Sequence, residues 1–397
     1  MTGVVLYDDA RARRFEPFAL TRPVGELRAG ALLVRERWER VTGSPVLGFI
    51  GAPHLAEFEE PDAPGALAEA PAGALLANAR FAPAIGGVVP GASAYQSDGR
   101  LTAVRLTRAI APQELREGQT PLEELPRDNG RAAELPGWWI DEVWHLLRRL
   151  GVMLGADIPV LGADLRAIGR DEALIVGSHP VFAEEGATIE PQAFFDVTLG
   201  PVLVRRGATV QSFTRVVGPC FIGEASDVMS DRVAGCSIGP RCKVHGEISA
   251  TVLLGYANKG HDGFVGHSYL GRWVNLGAGT TTSNLKNTYG PVSLWTPDGV
   301  RDTGLQFLGS LLGDHAKTGI NLSLTTGSVI GAGASIVGQM PPKVVPPFAW
   351  GERGKFETYR IEKFLEVVER VMARRSMTLG ARARKQLAAS HAARWSE

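Results

Sequence analysis

Residues able to move a proton or bind an anion are concentrated between positions 258 and 280. Lys259, His261, Asp262 and His267 stand close together there. A neutral imidazole can accept a proton from an amine near physiological pH. Because alternate residues of a strand share a face, we expect the Lys259 ammonium beside the His261 imidazole, where it would disfavour protonation and attract an anion. The pattern predicts His261 as a general base, with Lys259 and Asp262 as binding groups; the alternative is a surface histidine at a corner of the chain.

His267 and four further polar residues are candidates for binding a substrate. His267 and Tyr269 are expected on one strand face, where they would hold an acceptor molecule or stack at a subunit contact. Asn275 and Asn284 can donate hydrogen bonds to hydroxyl groups or to a carbonyl oxygen, although asparagines also form buried ladders in coiled β-structures. Lys317 follows a predicted loop and is either a phosphate-binding residue or a solvated lysine.

An apolar residue recurs at every sixth position in the second half of the chain. This period fits neither an α-helix nor an alternating strand. It predicts a chain wound as a triangular coil, with one short parallel strand on each face and one inward apolar residue per strand. Ile238 and Val244 depart from the phase, and residues 284–306 interrupt it as a polar loop extending from one corner. The residues in phase are Val204, Val210, Val216, Ile222, Val228, Phe264, Leu270, Leu276, Leu324, Ile330 and Ile336.

The regions on either side of the repeat follow other patterns. Apolar runs such as 4–7 and 45–50 alternate with segments of helical spacing, which favours a layered, largely parallel α/β sheet. After Pro347 the apolar residues have helical spacing, which predicts a helix packed on the coil or on a neighbouring subunit. We therefore predict an α/β domain over 1–172, the coil over 173–350 and a helical tail over 351–397.

A compact charged set lies near the N-terminus, formed by Asp8, Asp9, Arg22 and Arg28. Aspartates in this arrangement can hold Mg²⁺, and arginines can bind a triphosphate. The alternative interpretation is a buried ion-pair network that fixes the first strand.

Composition excludes several classes of function. Lys+Arg and Asp+Glu both number 42, so the net charge is about zero and gives no support for a nucleic-acid or anionic-membrane surface. The sequence lacks an apolar run of membrane-spanning length and the residue order of a signal peptide. Cys220, Cys236 and Cys242 lack CxxC spacing, so buried thiols in a reducing compartment are expected rather than a zinc site. These features predict a cytoplasmic protein.

The segment from His261 to Asn275-Leu-Gly-Ala-Gly-Thr-Thr-Thr-Ser-Asn284 resembles the left-handed β-helix domain of bacterial bifunctional glucosamine-1-phosphate acetyltransferase/N-acetylglucosamine-1-phosphate uridyltransferases. Without gaps, the resemblance places the family's catalytic histidine on His261 and its two asparagines on Asn275 and Asn284. The acceptor-site tyrosine of the family falls on Phe264, so that hydroxyl group is missing. A gapped match starting at Gly266-His267 is the alternative, so the choice of histidine stays open.

Later coils carry a second part of the same resemblance. Phe307-Leu-Gly-Ser310 and Ile330-Gly-Ala332-Gly resemble coils that line the acetyl-CoA groove in that family. The resemblance therefore implies acetyl-CoA as co-substrate, with Ala278, Ser310 and Ala332 as its binding residues. It also implies a homotrimer whose active sites lie between neighbouring subunits.

The first forty residues, with Tyr7-Asp-Asp and Leu20-Thr-Arg-Pro-Val-Gly-Glu-Leu-Arg28, resemble a divergent branch of sugar nucleotidyltransferases. The usual Gly-rich loop ending Gly-Thr-Arg is missing, and no lysine occurs before Lys243. Such a loop cradles phosphate with backbone N–H groups, and a lysine neutralises the leaving pyrophosphate. Nucleotidyl transfer here would therefore rely on Arg22 and Arg28, or it is lost.

Three functions are compatible with these patterns. The first is acetyl-CoA-dependent N-acetylation of an amino-sugar 1-phosphate such as glucosamine-1-phosphate, together with transfer of a nucleotide from UTP or dTTP to form a UDP- or dTDP-sugar. The second is a metal enzyme like the γ-class carbonic anhydrases. The third is a non-catalytic trimeric scaffold that binds a sugar nucleotide. The histidines available for the second are His245, His261, His267 and His315, although His261 and His267 are separated by up to ~20 Å of extended chain.

Overall fold

A computed structural model of the chain describes residues 3–87, 91–128, 130–229, 231–352 and 355–395. It divides into two units. A first unit comprises Met1–His145 and Met372–Ala393, and a coil unit comprises Leu146–Val371 and Arg394–Glu397. This division differs from the predicted boundaries at 172 and 350. Residues 146–171 belong with the coil unit, and residues 372–393 of the predicted tail belong with the first unit. Residues 353–354 and 396–397 of the predicted tail lie outside the described residues.

The first unit is built on short, deeply buried strands. Its strands are β1 (Val4–Tyr7), β2 (Arg28–Ala29), β3 (Leu32–Leu33), β4 (Val46–Ile50), β5 (Leu75–Asn78), β6 (Phe81–Pro83), β7 (Ala94–Ser97), β8 (Arg100–Arg105), β9 (Ala133–Glu134) and β10 (Gly137–Trp139). The helices of the chain are α1 (Val34–Thr42), α2 (His145–Arg148), α3 (Leu150–Leu161), α4 (Ile361–Ala373) and α5 (Ala381–Ala392). Short 3₁₀ segments lie at Ala12–Arg14, Val24–Glu26, Pro53–Leu55, Pro112–Gly118 and Leu122–Glu124.

The main sheet of the first unit has the order β4-β1-β5-β8-β7-β9. Strands β4, β1 and β5 are parallel, and every residue of β1 is buried, as expected for a strand covered on both faces. The chain passes from β1 to β4 on one side and then to β5 on the other, which makes a topological switch point between β1 and β5. Ligands of α/β sheets bind at the carboxyl ends of strands at such a point. The α/β prediction for this region is confirmed.

Helix α5 completes the first unit. The Gln386 amide donates a hydrogen bond to the carbonyl oxygen of Thr21, and the Ser390 hydroxyl donates to that of Leu20. Both side chains are buried, so these hydrogen bonds satisfy polar groups in the interior of the unit. Helix α4, in contrast, packs Phe364 edge-on against Phe348 of the coil.

The coil unit consists of short strands that stack in register. Before the inserted loop they are β11 (Leu174–Gly177), β12 (Val181–Ala183), β13 (Thr188–Ile189), β14 (Phe194–Val197), β15 (Val202–Val204), β16 (Thr209–Val210), β17 (Arg215–Val217), β18 (Cys220–Ile222), β19 (Asp227–Met229), β20 (Arg232–Ala234), β21 (Ser237–Ile238), β22 (Lys243–His245), β23 (Glu247–Ser249), β24 (Val252–Leu253), β25 (Asn258–Lys259), β26 (Phe264–Gly266) and β27 (Tyr269–Leu270). The later ones are β28 (Thr281–Thr282), β29 (Ser293–Thr296), β30 (Gly299–Asp302), β31 (Leu311–Leu312), β32 (Lys317–Thr318), β33 (Ser323–Leu324), β34 (Val329–Ile330), β35 (Ser335–Val337), β36 (Val344–Val345), β37 (Ala349–Glu352) and β38 (Lys355–Thr358).

These strands form the three faces of a left-handed parallel β-helix. The six-residue repeat predicted the triangular coil, and the family resemblance implied its left-handed sense. The strand orders of the faces are β11-β14-β17-β20-β23-β26, β12-β15-β18-β21-β24-β27-β31-β34-β36 and β13-β16-β19-β22-β25. From β11 to β27, each strand therefore pairs with the strand three positions earlier in the chain, so each face gains one strand per turn of the coil. The apolar ladders meet inside, and Cys220, Cys236 and Cys242 are buried among them.

The loss of phase near Ile238 and Val244 has a simple cause. On one face Val228 pairs with Val244 and Val244 with Lys259, so the turns there take 16 and 15 residues instead of 18. Shortened corners displace the inward positions by two or three residues in sequence. One inward prediction is wrong for this reason: Val265 points into the core, whereas Phe264 is only partly buried.

The polar interruption is an insertion between turns of the coil. Leu270 pairs with Leu312 in the next turn, and the intervening chain carries an antiparallel hairpin of β29 and β30. The stacking of the coil is thus continuous on this face despite the long connection.

Candidate functional site

His261 stands on an open cleft of the coil unit. It follows β25 on the short connection to β26, and its side chain is exposed. The cleft has a volume of about 610 Å³. We call it the His261 cleft; it is lined by His245, Gly260, His261, Asp262, Ala278, Gly279, Ile320 and Asn321.

Glycines allow successive corners of the coil to stack closely beside this cleft. Gly246 and Gly263 have φ values of +92° and +123°, a region that residues with a Cβ atom rarely adopt. A Cβ atom on Gly263 would lie 2.3 Å from the carbonyl oxygen of Thr280 in the next turn. The backbone under His261 is therefore held between the turns before and after it.

Lys259 does not share the face of His261, so the expectation that the two side chains point together is wrong. The strand ends at Lys259 and the chain turns at Gly260, so strand alternation no longer applies at position 261. Lys259 occupies the inward position that Val244 fills one turn earlier, and its side chain is 1% exposed. Burial lowers the pKa of Lys259 to about 8, although the Asp262 carboxylate acts in the opposite direction.

The Lys259 ammonium is bonded to backbone carbonyl groups rather than to solvent. Its Nζ donates to the carbonyl oxygens of His245 at 3.3 Å and Asp262 at 2.9 Å, and also to that of His261. A buried ammonium group needs such acceptors, because an unpaired charge in an apolar interior is very unfavourable. The group thus lies beneath the cleft and ties its wall to the preceding turn.

Asp262 and His245 form the side of the cleft where a cation could bind. Asp262 Oδ1 lies 3.4 Å from His245 Nδ1, and the Asp262 side chain is 89% exposed. Possible ligand atoms of Asp231, His245 and Asp262 lie within 4.8 Å of one another. Within the described residues, these three side chains are the group of His, Cys, Asp and Glu whose ligand atoms lie close enough together to bind one metal ion. The Lys259 ammonium already provides positive charge near both carboxylates.

His267 lies at another corner and has a different environment. It has a φ of +48°, and its imidazole stacks on Phe307 with ring centroids 5.4 Å apart. The amide Nδ2 of Asn284 lies 2.9 Å from His267 Nδ1. Because an amide NH₂ group only donates, Nδ1 is the acceptor and the neutral ring carries its proton on Nε2. Burial lowers the pKa of His267, which favours this neutral form.

The remaining predicted binding residues of the coil are not gathered at one place. Asn275 Oδ1 accepts a hydrogen bond of 2.8 Å from Asn258, which is the ladder arrangement that the sequence left open. Lys317 pairs with Asn275 along the same face, and its Nζ donates to the carbonyl oxygen of His315 at 3.0 Å. Burial lowers the pKa of Lys317 to about 8. Tyr269 is fully buried, so it does not share an open face with His267.

The three residues predicted to line an acetyl-CoA groove have different positions. Ala278 lines the His261 cleft. Ser310 and Ala332 are buried in the stacked turns, where the Ser310 backbone N–H donates to the Ser268 hydroxyl at 2.9 Å. Ile320 and Asn321 line the cleft but were not predicted as site residues, and His245 was considered only as a ligand in the metal-enzyme alternative. They come from neighbouring turns, and only the pairing register reveals that they lie beside His261.

The first unit has a cavity of about 460 Å³ at the switch point between β1 and β5. Asp9 follows β1, and Asn78 and Arg80 stand at the end of β5. We call it the Asp9 cavity; its lining includes Tyr7, Asp9, Arg11, Asn78, Arg80, Arg100, Gln119, Thr120, Glu123 and Trp139. Arg80, Arg100 and Trp139 were not predicted from the sequence, because they lie far from Asp9 along the chain. The sequence signal that could have found Arg80 is its position just after β5, a strand parallel to β1.

The charges of the Asp9 cavity are paired with one another. Arg80 contacts Asp9 at 2.6 Å and Asp141 at 2.8 Å, and Asn78 donates to Asp9 at 2.8 Å. Burial disfavours ionisation of Asp9, yet the bonds from Arg80 and Asn78 hold its pKa below the ordinary value. The Arg100 guanidinium lies 3.8 Å from the centroid of the Trp139 ring, a cation–π contact.

Asp8, Arg22 and Arg28 do not join Asp9 in this cavity, so the predicted charged set is not one site. Burial raises the pKa of Asp8 to about 7, while the hydrogen bond from the Val24 backbone N–H acts in the opposite direction. Arg22 pairs with Glu60 at 2.7 Å. Arg28 donates to the carbonyl oxygen of Ala31. All three are buried; the contact of Arg22 with Glu60 is an ion pair, whereas those of Asp8 with Val24 and of Arg28 with Ala31 are hydrogen bonds with backbone groups.

Mg²⁺ binding by paired aspartates does not fit this arrangement. A Mg²⁺ ion needs carboxylate oxygens that face one space. Only Asp9 of the two predicted aspartates lines the cavity, and its oxygens are bonded to Arg80 and Asn78. Asp8 instead accepts hydrogen bonds from the backbone at Val24.

Comparisons with known proteins bear on both units. Residues 4–165 match the family model described as sugar nucleotidyl transferase. The Bifunctional protein GlmU of Desulfitobacterium hafniense is 28% identical over 198 residues, covering 42% of this chain and 39% of the relative. GlmU of Methanocaldococcus jannaschii is 25% identical over 252 residues, covering 61% and 54% respectively. The chain therefore spans only part of the length of these relatives, and its resemblance to such bifunctional proteins is confirmed at low identity.

Among solved structures, a hexapeptide transferase family protein from Anaplasma phagocytophilum matches 56% of this chain and 98% of its own length. Its identity is 15% and its TM-score 0.29. In the described part of this chain, the helices are all too short or too polar to cross a membrane.

Proposed function

We propose that the coil unit is an acyl-CoA-dependent acyltransferase that acetylates the amino group of a sugar phosphate, with His261 as general base. One observation carries this proposal: the His261 imidazole is exposed on the wall of an open cleft. A base must reach the proton it accepts, so geometry is the first requirement. The similarity to bifunctional nucleotidyltransferase/acetyltransferase relatives supports the reaction class.

His261 is a better base than His267 for a chemical reason. The lone pair of His267 Nδ1 accepts from the Asn284 amide, so the ring presents an N–H group at its other nitrogen. Such a ring can donate a hydrogen bond but cannot take a proton without losing the bond to Asn284. We therefore propose His267 and Asn284 as groups that donate to or shape the binding surface.

The proposed reaction is direct transfer. The amine nitrogen of the sugar attacks the thioester carbonyl carbon of acetyl-CoA while His261 accepts a proton from the nitrogen. The C–N bond forms, the C–S bond breaks and CoA leaves as the thiol after protonation. The backbone N–H of Ala278, on the glycine-rich wall, would stabilise the negative charge on the carbonyl oxygen, since the N–H of Gly279 already donates to the carbonyl oxygen of Asp262 at 3.0 Å. Asp262 is available to orient the ammonium or hydroxyl groups of the acceptor.

We propose that a trimer completes the site. The His261 cleft opens to solvent, and Ile320 on its wall is 69% exposed. The resemblance to bifunctional acetyltransferases, which implies active sites between neighbouring subunits, supports this proposal, because an open cleft leaves room for a residue of another subunit. Lys317 and Asn275 on a nearby face would then contribute to phosphate or acceptor binding in the assembled protein.

For the first unit we propose nucleotide-sugar recognition at the Asp9 cavity, either with nucleotidyl transfer from UTP or dTTP or as binding alone. Its place at the switch point of the sheet favours a ligand there. The pairing of Arg80 with both Asp9 and Asp141 favours binding without turnover, because the arginine is not free to neutralise a leaving pyrophosphate.

The test is a set of assays on the full chain. Acetyl-CoA is supplied with glucosamine-1-phosphate and release of the CoA thiol is measured; UTP or dTTP is supplied with the sugar phosphate and pyrophosphate release is measured. We expect thiol release that depends on the amino sugar. Absence of thiol release with amino-sugar phosphates, alongside nucleotide binding by calorimetry, would replace the enzyme proposal by the scaffold alternative.

A further inference from the structure

The most unusual feature of the coil interior is a lysine in an apolar ladder. On one face the inward positions are Val210, Val228, Val244 and then Lys259, each paired with the one before. The three valines are fully buried and Lys259 is 1% exposed. Placing an ammonium group there is unfavourable unless it is fully hydrogen-bonded. A role besides filling space is needed to account for it.

The acceptors of this lysine are specific to the His261 cleft. Two are the carbonyl oxygens of His261 and Asp262, which form the connection between β25 and β26. The third is the carbonyl oxygen of His245, on the preceding turn and also on the cleft wall. One ammonium group therefore joins two successive turns at the point where the candidate base stands.

Neutral groups would not replace this arrangement. An inward valine or leucine would take this donor away from the carbonyl groups of His245, His261 and Asp262. The carbonyl of Asp262 would keep the hydrogen bond from the Gly279 backbone N–H at 3.0 Å, but a buried carbonyl that loses its partner is unfavourable. Hydrogen bonds from an ionised donor are also stronger than those from a neutral one. The corner at 260–263 contains Gly260 and Gly263, so its backbone has little intrinsic stiffness and depends on such bonds.

We propose that Lys259 is a positioning residue: its ammonium group fixes the carbonyls of His261 and Asp262 against the turn that carries His245, and so orients the His261 imidazole in the cleft. This proposal rests on the proposed function of His261 for its effect on catalysis. It replaces the expectation that Lys259 binds substrate, since the ammonium lies beneath the cleft wall instead of in the open space.

The test uses Lys259→Met, which keeps the length of the side chain and removes the donor. Misplacement of a catalytic group by about 1 Å can reduce the rate about 10²-fold. We expect kcat for acetyl transfer to fall by about 10- to 100-fold with KM nearly unchanged. Lys343→Met is the matched control, because Lys343 Nζ also donates to one carbonyl, that of Ser293, but at a different loop. That control should keep the wild-type kcat.

A second measurement does not depend on enzyme activity. Amide hydrogen exchange followed by mass spectrometry should show faster exchange at residues 260–263 in Lys259→Met, with the other turns of the coil unchanged. If wild-type protein does not acetylate any amino-sugar phosphate, the proposed function fails while this exchange still decides the role of Lys259. Unchanged kcat, unchanged exchange at 260–263, or equally faster exchange in all turns would each overturn the positioning role.

Discussion

In the His261 cleft the imidazole of His261 and the carboxylate of Asp262 are exposed, whereas in the Asp9 cavity the carboxylate of Asp9 is bonded to Arg80. In the cleft the balancing charge is hidden beneath the wall as the Lys259 ammonium. In the cavity the opposite charges meet inside the open space itself. A ligand of the cleft therefore meets exposed polar groups, while a ligand of the cavity must compete with existing ion pairs.

This difference distinguishes side chains that can exchange a proton with a ligand, such as His261, from side chains that stabilise the fold, such as the paired Asp9 and Arg80. A base needs an accessible lone pair, which buried and mutually paired charges do not offer. The coil is thus the unit where single side chains should control a rate. In the first unit the same kinds of substitution should act mainly on stability.

The largest expected effect is that of His261→Ala on acetyl transfer. Loss of a positioned general base typically lowers the rate about 10²- to 10⁴-fold, and the exposed side chain contributes little to folding. Initial rates of CoA release measure it. His267→Ala is the informative comparison, since it removes a ring already bonded to Asn284 and should act mainly through KM. If His261→Ala kept the normal rate and His267→Ala lost it, the assignment of the two histidines would be reversed.

The next effect concerns the stability of the first unit against pH. The pKa of Asp8 rises from 3.8 to about 7 on folding, so the folded chain holds a proton that the unfolded chain has lost between these values. The free energy of unfolding should therefore fall as pH rises from 4 to 7 and then level off, with a loss of roughly 4 kcal/mol at about 1.4 kcal/mol per unit. Denaturant unfolding at a series of pH values measures the slope.

Asp8→Asn should remove most of that slope, because the amide oxygen still accepts from Val24 but carries no charge. Asp98→Asn, at an exposed aspartate of the same unit, is the matched control and should leave the slope unchanged. An equal slope in wild type and Asp8→Asn would show that Asp8 does not bind the proton in question.

Much of the coil could be read from the sequence, and the reasons for the failures are physical. The six-residue period predicts which residues point inward as long as every turn has 18 residues. The turns after Val228 have 16 and 15 residues, so the period does not predict that Lys259 points inward. Strand alternation then suggested the wrong direction for that side chain. In the first unit, Asp9 was predicted because it belongs to a compact charged set near the N-terminus, and it lies two residues after β1. Arg80 and Trp139 reach it only through pairing of distant strands, which no local pattern encodes.

A smaller stability effect should come from the Asp9 cavity. Arg80→Met leaves Asp9 largely buried without its ionic partner, which should reduce the free energy of unfolding by about 3 kcal/mol. Arg100→Met is the control, since Arg100 contacts Asp141 with a side chain that is 45% exposed and should cost less than about 1 kcal/mol. Chemical denaturation compares the two. Equal losses would mean that the Arg80 pairs are as weak as surface pairs.

The smallest expected effect is that of metal removal. The γ-carbonic-anhydrase-like alternative needs three ligands around one ion, yet of its four candidate histidines two, His245 and His261, line the cleft. The other two lie elsewhere, His267 against Phe307 and His315 beside Trp273. The carboxylates near His245 already lie close to the Lys259 ammonium.

We therefore expect CoA release to be the same before and after treatment with EDTA, and elemental analysis of the purified protein to give less than one zinc per chain. Asp231→Asn tests the same point from the protein side, because it removes one possible ligand on an exposed side chain and leaves His261 in place. If EDTA abolished activity, zinc restored it and Asp231→Asn weakened zinc binding, the exposed cluster rather than a metal-free imidazole would be the reactive centre of the cleft. The difference between the two sites would then be that the His261 cleft binds a cation, whereas the charges in the Asp9 cavity are paired with one another.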